Sequence, residues 1–340
     1  PLFYAHFFKS RDFAEMIKTV GQGANIRNLS QGILNELKVP LPPLTMQQAM
    51  SRFVHDGDSV VMEGFTHLIP FAAGHELIRQ RRRSLTLVRL TPDLIFDQMI
   101  AASCARKLVF SWAGNPGVGS LHAFRRAFEQ GIPAPLELEE YSHFGLALRL
   151  QAGAAGVPFL PTRNFAGSDL PRVNPNIRRV TCPHSGEELW SVPALNPDVA
   201  ILHAQRADEE GNTQVWGLVG VHKEAAFASH RVIVIVEEIV SQEVIRGDPN
   251  RTLIPGFRVN AVVHEPFGAH PSYVQGYYDR DNDFYTRWDD ISREADGLRR
   301  YLDEWVYGLP DRRAYVEKMG PVCQRLRARS LLCEPVNYGY

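Results

Sequence analysis

Residues 59–90 read SVVMEGFTHLIPFAAGHELIRQRRRSLTLVRL, and the order of residue types in this stretch decides the fold. Ser59-Val60-Val61-Met62 is a short apolar run, which predicts a strand covered on both faces. Glu63-Gly64-Phe65-Thr66-His67 ends it with a glycine and hydrogen-bonding side chains, the composition of a loop. From about Phe71 to Gln80 the apolar spacing turns helical, and Leu85 to Leu90 is a second apolar strand. Strand, loop, helix and strand in that order predict a parallel pair, because parallel neighbours need a crossover that a helix supplies.

The same alternation continues outward. Upstream, Thr45 caps a predicted helix from Met46 to Val54, and His55-Asp56-Gly57-Asp58 forms a turn. Downstream, Leu108 to Trp112 predicts a buried strand, and Leu121 to Gln130 a helix closed by Gly131. Strands recur at Asp198–His203 and Val232–Val236, so residues 45–280 read as an α/β domain with a mainly parallel sheet. From about Asp281 the chain turns helical and charged, which predicts an amphipathic C-terminal pair within an extension over residues 281–340. Before the domain, Pro40, Pro42 and Pro43 stiffen the backbone and set residues 1–44 apart as an N-terminal arm. The sequence begins with Pro1 rather than Met, as a trimmed or fragmentary chain does.

Composition narrows the function classes. Across 340 residues, 37 Lys and Arg stand against 38 Asp and Glu, a net charge of −1. Nucleic-acid and membrane-surface binders need a large cationic excess, so neither partner is expected. Four widely spaced cysteines (Cys104, Cys182, Cys323, Cys333) make no CxxC and read as reduced thiols of a cytoplasmic protein. No HExxH or GxSxG and no zinc-spaced Cys/His cluster occurs, which argues against metal catalysis and a serine-hydrolase elbow.

Four segments carry candidate chemistry. The loop at Glu63–His67 is either a ligand crevice at a strand's carboxyl end or an ordinary turn with a surface histidine. Gly114-Asn115-Pro116-Gly117-Val118-Gly119-Ser120 joins a strand to a helix, where backbone N–H groups suit an anion; the alternative is a structural turn. In Leu136–His143, alternation places Glu137 and Glu139 on one face and Glu140 on the other. A lone carboxylate facing the core is a usable base or nucleophile, whereas a solvated acidic cluster is inert. Ser142 and His143 are candidates for binding a substrate carboxylate. Gly268-Ala269-His270-Pro271-Ser272 either lines a pocket or packs the C-terminal helices, and Glu237-Glu238 follows a strand without an identified partner acid.

The segments Glu63–Glu76, Leu87–Leu94, Asn115–His122, His203–Asp208 with Gly211-Asn212, Val236–Val240 and Gly268–Tyr273 resemble the alpha-type subunits of class I CoA-transferases. The 3-oxoadipate members are nearest in kind and the glutaconate members more distant. The resemblance implies a three-layer α/β/α sandwich that pairs with a beta-type partner in a hetero-oligomer. It implies transfer of CoA from an acyl-CoA such as succinyl-CoA to a carboxylic acid, dicarboxylic or 3-oxo. The CoA thioester is then a substrate, and no cofactor or metal is held permanently. In two-subunit members the nucleophilic glutamate comes from the beta-type partner in a Ser-Glu-Asn-Gly-like motif, which this chain lacks.

By the same resemblance, Gly64, Phe65 and Thr66 shape the first pocket loop, while Asn115, Gly117 and Gly119 face the acyl or CoA portion. Ser142 and His270 join this expected binding set. Glu140 matches a base of ring-cleaving hydrolase relatives, which keeps a thioester or ring hydrolase as the alternative. Ala113 and Phe267 stand where near relatives carry glycine and Tyr141 where they carry histidine; Phe267 would narrow its loop. A non-catalytic binding module is the third reading. Within the arm, Asn28-Leu29-Ser30, Leu37–Leu44 and Gln47-Gln48 resemble the tail of a target-recognition domain in a type I restriction specificity protein. Some 48 residues are too few to read DNA, so no DNA binding is expected.

Overall fold

The computed structural model describes residues 44–116 and 119–328. The expectations placed on residues 1–43, on Gly117 and on Cys333 lie outside the described residues. Helix α1 (Met46–Phe53) starts where the sequence predicts, because Thr45 and Gln48 form a reciprocal capping box. Then follow β1 (Ser59–Glu63), α2 (Phe71–Arg79), β2 (Leu85–Val88), α3 (Leu94–Ala101), β3 (Ala105–Phe110) and α4 (His122–Gln130). Gly131 ends α4 with a left-handed φ of 71°. Next come β4 (Glu137–Glu140), α5 (His143–Ala155), β5 (Phe159–Thr162), the single turn α6 (Leu170–Val173), β6 (Arg178–Thr181) and β7 (Glu188–Pro193). The second half supplies β8 (Val199–Ala207), β9 (Thr213–Gln214), α7 (His222–Ala228), β10 (Arg231–Ile239), α8 (Gln242–Gly247), β11 (Thr252–Ile254) and β12 (Ala261–His264).

Seven strands form a parallel run in the order β12-β10-β8-β1-β2-β3-β4. The antiparallel strands β9 and β11 extend the sheet from the end of β8. The chain proceeds in one direction from β1 to β4 and in the other from β8 to β12, so the order reverses between β1 and β8. In open α/β sheets that reversal marks the crevice where ligands bind.

Side-chain alternation builds two cores from one sheet. Val60, Met62, Ile201, Ile233 and Ile235 face one apolar cluster, and Val61, Leu202, Val232, Val234 and Val236 face the other. Each buried residue of this size contributes about 1.5–3 kcal/mol over an exposed one. Helices α1–α4 cover the first face and α5 and α7 help to cover the second, which gives the three layers.

Two features depart from the sequence reading. A separate three-stranded antiparallel sheet, in the order β5-β7-β6, sits between α5 and β8 in the chain. Among the described residues the C-terminal pair is instead four helices: α9 (Asn282–Arg293), α10 (Ala295–Leu302), α11 (Arg312–Met319) and α12 (Pro321–Leu326), with a π turn at Asp303–Tyr307. Phe284, Trp288, Leu298, Tyr301 and Val306 are buried in the same cluster as Val60 and Ile201. Helices α9 and α10 therefore complete the first layer of the sandwich, whereas Tyr315, Met319, Cys323 and Leu326 of α11 and α12 are buried in the second cluster.

Candidate active site

The carboxyl ends of β1 to β4 surround a cavity of about 310 Å³. Phe65 and Thr66 reach it from the loop after β1, and Arg89, Thr91 and Asp93 from the segment after β2. Trp112 and Pro116 come from the loop after β3, and His143 from the start of α5.

Arg89 organises the wall. Its guanidinium is 1% exposed and donates to Asp93 Oδ1 at 2.8 Å and to the Gly64 carbonyl at 2.6 Å. A buried cation is tolerated only with such partners. Burial pushes the Asp93 carboxyl above its usual range, against the opposing pull of Arg89. Burial likewise raises the Glu63 carboxyl at the end of β1. A Cβ on Gly220 would lie 2.8 Å from Glu63 Oε1, so that loop closes tightly over the carboxylate. The wall thus holds a buried Arg89–Asp93 pair and offers hydroxyls from Thr66 and Thr91.

Thr66 is held in a left-handed conformation with φ 58°, an outlier for a β-branched residue. The strain is over-determined by its surroundings. Ser272 Oγ donates to the Thr66 carbonyl at 2.8 Å, and the next amide but one, Leu68 N, donates to the Tyr273 carbonyl at 3.1 Å. His67 is buried rather than on the surface: it bonds the Leu218 carbonyl through Nδ1 at 2.9 Å and accepts from Gln275 N through Nε2 at 3.0 Å. Burial lowers its pKa to about 4, so the ring is neutral.

His143 also takes a defined tautomer. Ser111 Oγ donates its one proton to the Leu90 carbonyl at 2.5 Å, so the 3.0 Å contact with His143 Nδ1 must be an N–H donation from the ring. Nε2 is then the acceptor nitrogen, and desolvation lowers the ring pKa. His143 in this form accepts a hydrogen bond; it does not donate one to a substrate carboxylate.

The remaining expected site residues take other places. Gly64 contributes its carbonyl, and a side chain there would strike the His67 and Leu68 carbonyls at 2.7 and 2.8 Å. Asn115 is buried behind the cavity and donates to the Tyr285 carbonyl at 2.8 Å. Gly119 is exposed, with φ 91°. Ser142 caps α5 by accepting from Gly145 N at 3.0 Å and from Asn164, so its hydroxyl is used structurally.

Two expectations are corrected. Glu140 does not face the core: β4 is the edge strand, Glu140 is exposed, and it lines a different cavity with Lys107 and Asn174. The sheltered carboxylate of that strand is Glu139. Although burial opposes it, Lys107, Tyr141 and Arg149 hold Glu139 down at about 2. His270 does not line this cavity; it is fully buried between Tyr315 Oη at 3.0 Å and Asp281 Oδ2 at 3.1 Å, packing the C-terminal helices. Phe267, expected to narrow its own loop, takes a left-handed φ of 59° there, with its ring buried and stacked on Tyr278 at a centroid distance of 4.4 Å.

Sequence reasoning did not single out Arg89, Thr91, Asp93 or Trp112 as site residues. The available signal was positional: RLTPD follows β2 as EGFTH follows β1, with an arginine one step beyond a fully buried strand. Glu237 found its partners only in the fold, accepting from His203 Nε2 at 2.7 Å, Tyr278 Oη at 2.7 Å and Phe267 N at 2.8 Å.

A sequence profile of the coenzyme A transferase family matches residues 44–265. The alpha-type chain of the 3-oxoadipate CoA-transferase of Pseudomonas knackmussii is 54% identical over 268 residues, covering 79% of this chain and 94% of that protein. The corresponding chain of the glutaconate CoA-transferase of Acidaminococcus fermentans is 34% identical over 295 residues, covering 82% and 91% respectively. The crystal structure of glutaconate CoA-transferase from that organism superposes with a TM-score of 0.79 at 33% identity, covering 84% of this chain and 96% of its own.

Proposed function

The chain belongs to the coenzyme A transferase family as an alpha-type chain, and from that membership we propose that it forms the acyl-binding half of a site completed by a beta-type partner. The reaction proposed is transfer of CoA from succinyl-CoA to a 3-oxo dicarboxylate such as 3-oxoadipate. The observation that carries the reading is the composition of the cavity wall. It has a buried cation in Arg89, hydroxyls in Thr66 and Thr91, and apolar surface in Phe65, Trp112 and Pro116. Among the described lining residues the one carboxylate, Asp93, is tied to Arg89.

Such a wall suits the acyl end of a dicarboxylic thioester. Arg89 balances a carboxylate held near it, the hydroxyls donate to carbonyl oxygens, and the rings exclude water from an activated ester. The attack on the thioester needs a free carboxylate, which in this reading the partner supplies. That carboxylate forms a mixed anhydride with the acyl group, releasing CoA thiolate, which then re-attacks to give a glutamyl-CoA thioester and the free acid. The acceptor acid reverses these steps and carries the CoA away. Hydrolysis by Glu140 is not favoured, since that side chain is exposed on the edge strand.

The test is co-expression with a beta-type partner, followed by CoA exchange between succinyl-CoA and a panel of dicarboxylic acids. The pair is expected to exchange CoA and this chain alone to be inert. Steady hydrolysis without exchange into any acid, or full exchange by the lone chain, would overturn the reading.

A further inference from the structure

The described residues that flank the glycine-rich turn after β3, Asn115-Pro116 and Gly119-Ser120, are tied to helix α9 and to Arg280 shortly before it. On the near side, Asn115 Nδ2 donates to the Tyr285 carbonyl at 2.8 Å, and Arg280 Nη2 donates to the Pro116 carbonyl at 3.0 Å. On the far side, Asp289 Oδ1 accepts from Ser120 N at 3.4 Å and from His122 Nε2 at 2.9 Å. The same carboxylate presses on the loop backbone: a Cβ on Gly119 would lie 2.4 Å from Asp289 Oδ1. Only glycine, at φ 91°, brings the chain this close to the helix.

The helix end of these ties is itself fixed. Trp288 Nε1 donates to Asp97 Oδ2 at 3.1 Å, and Phe284, Trp288 and Tyr301 pack in a ring cluster with centroids 5.2–6.0 Å apart. Pro116 meanwhile lines the cavity. A displacement of α9 is therefore passed to the cavity wall through polar contacts at both edges of the loop.

We propose that Asp289 and Arg280 are positioning residues for the transferase reaction, setting Asn115-Pro116 and Gly119-Ser120 against the incoming acyl-CoA without touching it. This rests on the proposed function, in which the loop borders the acyl-CoA site. The mechanism is pre-organisation: a loop held in one geometry loses little entropy on binding and keeps its donors aligned. Asp289 is half-exposed, at 23% of its side chain, so its removal leaves the helix anchored by Trp288.

The experiment uses the complex with the beta-type partner, measuring hydrogen exchange of the loop amides, thermal melting and steady-state constants for succinyl-CoA. Asp289→Ala is expected to speed exchange at the Ser120 amide and to lower kcat/KM about tenfold, mainly through KM, within the ~10²-fold that small misplacements cost. Asp289→Asn, which keeps an acceptor for Ser120 N, is expected to recover most of that loss, and Arg280→Lys to lose less than Arg280→Ala. Arg293→Ala removes the surface partner of Asp289 and leaves the loop contacts, so it is expected to change neither readout. Unchanged loop exchange in Asp289→Ala overturns the clamp. Faster exchange with unchanged constants overturns the positioning role and removes this loop from the acyl-CoA site, while a wild-type complex without any CoA exchange counts against the proposed function alone.

Discussion

Arg89 shows what one residue does when it is buried at a strand end. Its two bonds, to Asp93 and Gly64, fix the floor of the β1 loop and the start of α3 together. Lysine keeps the charge but has no planar fork to span both acceptors. Arg89→Lys is expected to lower kcat/KM for the transfer at least about tenfold with the protein still folded, as steady-state kinetics and melting together read. Glu265 offers a pH test at the same scale. Burial raises its carboxyl from 4.5 to about 7, with Arg312 opposing. The folded state therefore prefers the protonated acid. The penalty is absent below the unfolded value of 4.5, grows as pH rises, and is complete above about 7, at a magnitude of about 3 kcal/mol. Glu265→Gln is expected to be more stable than wild type at pH 8 and equal to it near pH 4.5, by thermal melting across that range. Equal stability at both pH values would show that the carboxyl is not shifted.

At the scale of elements, Asp97 joins three helices. From α3 it accepts from Phe124 N in the first turn of α4 at 2.8 Å and from Trp288 Nε1 of α9 at 3.1 Å. Removing it leaves two buried donors without partners, at roughly 1–3 kcal/mol each. Asp97→Ala is expected to lower the melting temperature by about 5 °C or more, and Asp97→Asn to fall between, since its amide meets the indole N–H donor to donor. Local signals gave the ends of these elements. Thr45 and Gln48 make the capping box of α1, and Gly131 closes α4, because both devices act within one turn of chain. The antiparallel sheet of β5, β6 and β7 was not read, since its strands are short, half-exposed and carry no apolar run.

For the whole molecule, the cavity and the exposed Trp112 on its wall agree with a site finished by another protein chain. Glu140 lies outside that cavity, so Glu140→Gln in the reconstituted complex is expected to retain at least about half of wild-type transfer, measured as CoA exchange. Loss of activity in that variant with an intact fold would return catalysis to the edge strand. The order of the sheet also belongs to this scale. Val60 pairs with Val199 and Thr86 with Lys107, one contact crossing 139 positions and the other 21. Nothing local distinguishes them.

By itself the sequence determined strands β1, β2, β3, β8 and β10, helices α1, α2 and α4, the parallel character of the sheet and the family it resembles. Hydrophobic period, caps and turns act between residues a few positions apart, so they are written in the order of the chain. Only the tertiary structure decided which strand became an edge, and with it the fate of each polar group. Alternation placed Glu139 and Glu140 on opposite faces, but packing buried the first against Arg149 and left the second in solvent. Packing likewise turned His270 into a core contact and brought Arg89, Thr91 and Asp93 beside Thr66. Burial and charge pairing depend on neighbours that are distant in the chain, and those neighbours exist only once the sheet has closed around them.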